Sequence, residues 1–127
     1  MLVSRLKVAL IAAALACVTI GPVAAQEFRL LMIEQVGCYV CTAFNRDVAP
    51  AYHASPEAQI APLIHADLRG PLPDGVTLMS RPFVTPTFVL LAPDGHEVGR
   101  LIGFPGEDFF WPYINEMFEA ARAELAG

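Results

Sequence analysis

Two cysteines three positions apart, Cys38 and Cys41, are the residues of this 127-residue chain with the plainest chemistry. They enclose Tyr39 and Val40, and they stand where an apolar run ends and an amphipathic one begins. One ordinary role for such a pair is a structural staple. A four-residue loop gains only about 1.9 kcal/mol from closure, against about 3 for fifteen residues, so a staple would be placed elsewhere. Redox exchange suits the spacing better. At a helix start the unpaired N–H groups and the positive dipole end stabilise a thiolate, which makes Cys38 the expected nucleophile. A fall in thiol pKa from about 8.5 to about 6.5 would raise the thiolate fraction at neutral pH from roughly 3% to roughly three quarters. Cys41, one turn deeper, would resolve the mixed disulfide and leave Cys38 and Cys41 joined. Zinc is the third reading, with His53, His65 or His96 as further ligands. It lacks the second Cys pair or close His pair that such sites use. The three histidines are isolated in sequence and are assigned no chemistry.

Other residues are placed to support the pair. Thr85-Pro86-Thr87 lies at the entrance to an apolar strand pattern, where proline cannot donate to a ladder. A cis bond before Pro86 would turn the Thr85 backbone outward beside the cysteines, ready for an extended partner chain; a trans proline opening an edge strand is the ordinary alternative. Thr85, Pro86 and Tyr39 are therefore the candidate partner-binding residues. Glu34, four residues before Cys38, would relay the proton of Cys41 if partly buried, and is otherwise a solvated strand end.

The elements that must position these residues can be read from periodicity. Phe28 to Glu34 has the length of a buried strand, and Gly37 breaks it. Val40, Phe44, Val48 and Tyr52 recur every four residues, which predicts a helix from Tyr39 to about Tyr52, kinked or ended by Pro50. Ser55-Pro56-Glu57 starts a short helical turn, and Leu63 to Leu68 reads as a second strand. Arg69 to Pro82, rich in Gly and Pro, is loop with at most one helical turn near Val76 to Ser80. Thr87 to Leu91 and His96 to Ile102, separated by Asp94-Gly95, form a hairpin. A last helix runs from Glu107 to about Leu125, with Phe109, Phe110 and Trp111 as core at its start. Strand, helix, strand implies a parallel pair with a right-handed crossover. The hairpin extends the same sheet, giving a three-layer α/β sandwich with helices on both faces.

Composition sets the context. The chain is 55% hydrophobic with a mean hydropathy of +0.49, and much of this lies in the first 25 residues. Arg5 and Lys7 precede an uncharged run from Val8 to Ala25 that ends in small residues, as in a secretory signal. Residues 1–25 are read as a cleaved leader and 26–127 as the exported domain. An uncleaved membrane anchor is the alternative, and Cys17 follows an out-of-order version of a lipoprotein cleavage box. The mature part keeps six Arg and no Lys against thirteen acidic residues, hence a formal charge of −7. A nucleic-acid binder is excluded by that balance.

Four segments together resemble the thioredoxin superfamily and, over most of the mature length, its SoxS-type periplasmic members associated with bacterial sulfur oxidation. They are Glu34 to Cys41, Asp67 to Pro73, Val84 to Phe88 and Gly103 to Trp111. The resemblance implies a glutaredoxin-sized domain with a central four-stranded mixed sheet, a nucleophilic Cys38, a resolving Cys41 and a cis Pro86. It implies a thiol-disulfide oxidoreductase that needs no cofactor or metal. Its substrates would be partner-protein disulfides, with the sulfur-carrier complex of the Sox system as the specific partner. An upstream membrane electron donor would recharge it, and the mature form would be a monomer. Two departures stand out: the Trp-Cys-Gly-Pro-Cys motif of thioredoxin proper is missing, and Met32 occupies the place of the buried acid. A general dithiol carrier, an oxidant or a glutathione-linked enzyme are alternatives within the class. A non-catalytic, redox-sensing binding module is the alternative outside it.

Overall fold

The computed structural model describes Gly21 and residues 26–127; the rest of the expected leader, 1–25, lies outside the described residues. Eight elements follow in order: β1 (Arg29–Glu34), α1 (Tyr39–Asp47), α2 (Ala49–His53), α3 (Pro56–Ile60), β2 (Leu63–Asp67), β3 (Thr87–Leu91), β4 (Glu97–Ile102) and α4 (Glu107–Ala126). The sheet order is β2-β1-β3-β4. β1 and β2 are parallel, while β3 runs antiparallel to both β1 and β4. This is the mixed four-stranded sheet that the sequence implies.

β1 is central, and its apolar run is continuous because both of its faces are covered. Leu30 and Met32 face a core built with α1, α2 and α4, whereas Leu31 and Ile33 face a smaller one with Val89 and Leu91. Phe44 anchors the larger core, its ring centroid 4.8 Å from that of Phe88 and 5.1 Å from that of Phe110. Such pairs add about 0.5–1.5 kcal/mol each beyond area burial. Phe44 lies one turn after Cys41, so this packing fixes where α1 begins.

The expected helix from Tyr39 to Tyr52 is two helices that meet at Val48. Pro50 brings no N–H and would crowd the carbonyl four residues earlier, so the chain re-initiates with Pro50 in the first turn of α2. Tyr52 then reaches the core, and its hydroxyl donates to the Ala61 carbonyl at 2.6 Å. Burial, with a smaller contribution from the Glu57 charge, pushes the phenol pKa up, so the group stays a neutral donor. At the start of α4, Phe110 is fully buried and Trp111 packs against the core, but Phe109 is 70% exposed, contrary to expectation. Helical spacing points it away from the stripe set by Phe110, Ile114, Met117 and Phe118.

The layering differs from expectation in one detail. All four helices lie on the larger core, and among the described residues the second face is covered by the irregular segment 68–82, through Leu68, Val76 and Leu78. No helical turn forms at Val76 to Ser80, because backbone pairing takes precedence there. Thr77 donates to the Gly95 carbonyl and accepts from the Glu97 N–H, both at 3.0 Å. Gly95 permits this approach: its φ is +93°, and a Cβ there would lie 2.0 Å from the Gly75 carbonyl oxygen.

Glu97 and Arg100 latch the segment to β4. Arg100 donates in a fork to both Glu97 carboxylate oxygens, at 2.7 and 2.8 Å, and reaches the Ser80 carbonyl at 2.8 Å. The Glu97 side chain is 2% exposed and also accepts the Met79 N–H at 2.8 Å. Arg100→Ala leaves that carboxylate buried without its cation. The expected loss of stability is about 3 kcal/mol, read as a lower urea midpoint at unchanged slope.

Candidate active site: a cysteine pair at the start of α1

β1 delivers the chain to one end of the sheet, and a turn through Gly37 hands it to α1. Gly37 has φ of +85°, which a glycine adopts without strain. Cys38 is the N-cap of α1, and its Sγ accepts the Cys41 N–H at 3.2 Å. No acidic residue occupies the first turn, so nothing there opposes a thiolate at the positive end of the helix. The two sulfurs are joined as a disulfide. Cys38 is partly exposed, whereas Cys41 is 3% exposed and belongs to the larger core. The pair is asymmetric, with one sulfur open to a partner and the other held behind it.

The Thr85–Pro86 bond is cis. Antiparallel pairing of β1 with β3 matches Ile33 to Thr87, and continuing that register sets Gln35 opposite Thr85. Gln35 Nε2 donates to Thr85 Oγ1 at 3.0 Å, tying the proline loop to the cysteine loop. Pro86 is buried, and its carbonyl accepts the Gly103 N–H at 2.8 Å. Tyr39, 83% exposed, and Phe83, 84% exposed, flank the disulfide and the proline loop in sequence, together with Val36 and Val84. None of these side chains carries charge.

Glu34 is partly buried and has partners. Its side chain is 29% exposed, Asn45 Nδ2 donates to Oε2 at 2.8 Å, and His65 Nδ1 lies 3.3 Å from Oε1. Glu34, Asn45, His65 and Cys41 line one groove of about 560 Å³ that opens to solvent. His65, isolated in sequence, is thus partnered by Glu34 in the fold, while His53 is exposed and His96 lies against the Asp94 carboxylate in the hairpin turn. The His65 contact leaves no local motif, since β2 comes thirty residues after Glu34. Asn45 had a legible signal, because it lies four residues after Cys41 and so on the same helix face. Among the described residues no three Cys, His, Asp or Glu side chains gather as a metal site.

This fold and site define a thioredoxin-like thiol-disulfide oxidoreductase: a Cys-x-x-Cys pair capping the first helix, facing a cis proline across the sheet end. No family model and no curated protein matches the chain. Among solved structures it is similar to the periplasmic thioredoxin SoxS from Paracoccus pantotrophus in its reduced form. The two are 46% identical with a TM-score of 0.71, over 75% of this chain and 99% of that one. The chain belongs to the SoxS-type thioredoxins.

The geometry separates the two thiols of the reduced protein. Cys38 is expected to react with iodoacetamide at neutral pH well ahead of Cys41, because it is partly exposed at the positive end of the helix while Cys41 is buried. Cys41 remains unmodified on that timescale. Peptide mapping of the alkylated protein against pH measures both; equal labelling of the two would remove the asymmetry.

Proposed function

We propose that this protein is exported to the periplasm, where its dithiol form reduces a disulfide on a partner protein, the sulfur-carrier protein of a sulfur-oxidation system. The observation that carries the reading is the 46% identity to a periplasmic SoxS thioredoxin over nearly all of that chain. The exposed uncharged side chains Val36, Tyr39, Phe83 and Val84 beside Cys38 and the proline loop fit a protein segment laid across Thr85, Pro86 and Tyr39. An upstream membrane donor restores the dithiol, and the mature domain works as a monomer.

The cycle runs in two exchanges. Cys38 thiolate attacks the partner disulfide; its Sγ bonds to one partner sulfur and the other leaves as a thiolate. Cys41 then loses its proton, attacks Cys38 Sγ and expels the second partner thiolate. Two electrons have passed to the partner, which takes up protons from water, and Cys38 and Cys41 are left as the disulfide. Cys41 is buried, which disfavours its thiolate, so its proton needs an acceptor. Glu34 is that acceptor, working through water in the groove that both residues line.

Cys41→Ser should trap the partner as a mixed disulfide through Cys38, to be identified by mass spectrometry. Capture of a sulfur-carrier protein supports the reading, and absence of any trapped partner together with no insulin reduction defeats it. Glu34→Gln separately tests the acceptor. With Ellman's reagent the first thionitrobenzoate release, from attack by Cys38, should be unchanged. The second release, from resolution by Cys41, should slow by about 10²-fold, the lower end of general base effects. An unchanged second phase removes Glu34 from the mechanism and leaves the rest intact.

A further inference from the structure

Asn45 and Cys41, four residues apart on α1, share one helix face. Helical side chains lean back toward the N-terminus, which carries the Asn45 amide over the turn that holds Cys41. Both residues line the same groove. Chemistry fixes which way the amide is turned: Glu34 Oε2 lies 2.8 Å from Nδ2, and a carboxylate only accepts. Oδ1 therefore faces away from Glu34. It is buried and has no hydrogen-bond donor among the described residues.

A buried acceptor without a donor is costly, and native proteins seldom keep one without a reason. Here the oxidation state supplies the reason. In the disulfide, the Cys41 sulfur carries no hydrogen. In the dithiol it carries an S–H, a weak donor one turn from Oδ1. We infer that Asn45 Oδ1 accepts the Cys41 S–H in the reduced protein and so shifts the equilibrium of the pair toward the dithiol. The half-reaction balances simply. Glutathione, a monothiol reductant, supplies two electrons from two molecules that become one glutathione disulfide. The Cys38–Cys41 bond breaks, and the two protons released by glutathione pass to Cys41 and to Cys38, the latter giving its own up to water when it ionises. The same amide thus grips Glu34 with its nitrogen and the resting Cys41 thiol with its oxygen. The inference rests on dithiol exchange by the pair and is independent of Glu34 as proton acceptor.

The test is equilibration of the protein with glutathione buffers of graded ratio. Asn45→Leu, close in size but without polar atoms, is expected to move the balance toward the disulfide by about tenfold, or about 30 mV for a two-electron couple. Asn45→Ala, mild in a helix, is the second variant should leucine not fold. The direct readout is the infrared S–H stretch of Cys41 in a Cys17→Ser, Cys38→Ser protein, which should rise in frequency when Asn45 is replaced. An unchanged equilibrium, or a shift toward the dithiol, overturns the inference. So does a shift toward the disulfide with an unmoved S–H band, which would assign Oδ1 to a buried water instead. If the native protein fails to exchange with glutathione or any dithiol, the oxidoreductase reading falls first and takes this one with it.

Discussion

The molecule depends on one constraint: a helix must begin where a central strand ends, with a sulfur as its cap. The free N–H groups of a helix start need an acceptor, and here Cys38 Sγ takes the N–H of Cys41. That single contact orients the two cysteines toward each other. It also leaves the outer sulfur at the positive end of the dipole, where negative charge is favoured. Phe44 holds the helix in this position by packing among Phe88, Phe104 and Phe110, so the aromatic core serves the chemistry by fixing a helix start.

Much of this was legible in the chain because it depends on local order. The cysteine spacing, the Asp94-Gly95 turn and the periodicities of β1, α1 and α4 are short-range signals; β1, the hairpin strands and α4 appear within a residue or two of their expected places, and the helix expected from Tyr39 starts there but is divided at Val48. Where the sequence misled, a non-local contact took precedence. Phe109 reads as core beside Phe110 but lies on the wrong side of the helical stripe. The segment 68–82 offered weak helical spacing at Val76 to Ser80, yet Thr77 pairs with backbone nearly twenty residues away in the hairpin. Glu34 was visible as a candidate, but its two holders, Asn45 and His65, come from different elements and share no motif.

Met32 stands where thioredoxin-like spacing would place a buried acid, and Glu34, two residues on, shares its face of β1 at the strand end. Met32 is fully buried in the larger core, so no charge sits under the disulfide at that position. The carboxylate instead stands at the strand end, oriented on both oxygens and reached through an open groove. An acid in such a place exchanges protons with bulk water directly, whereas one sealed in apolar surroundings would have to open a path first.

The segment that covers the second face has a further meaning. It carries no regular hydrogen-bond ladder of its own, and it is fastened through Glu97 and Arg100 before running on into Phe83, Val84 and the cis proline. The cover of the second face and the proline loop are thus one continuous ribbon. The Glu97–Arg100 ion pair holds Met79 and Ser80 only a few residues before Phe83, so a polypeptide laid on the proline loop would pull on the same anchor that keeps the second core closed.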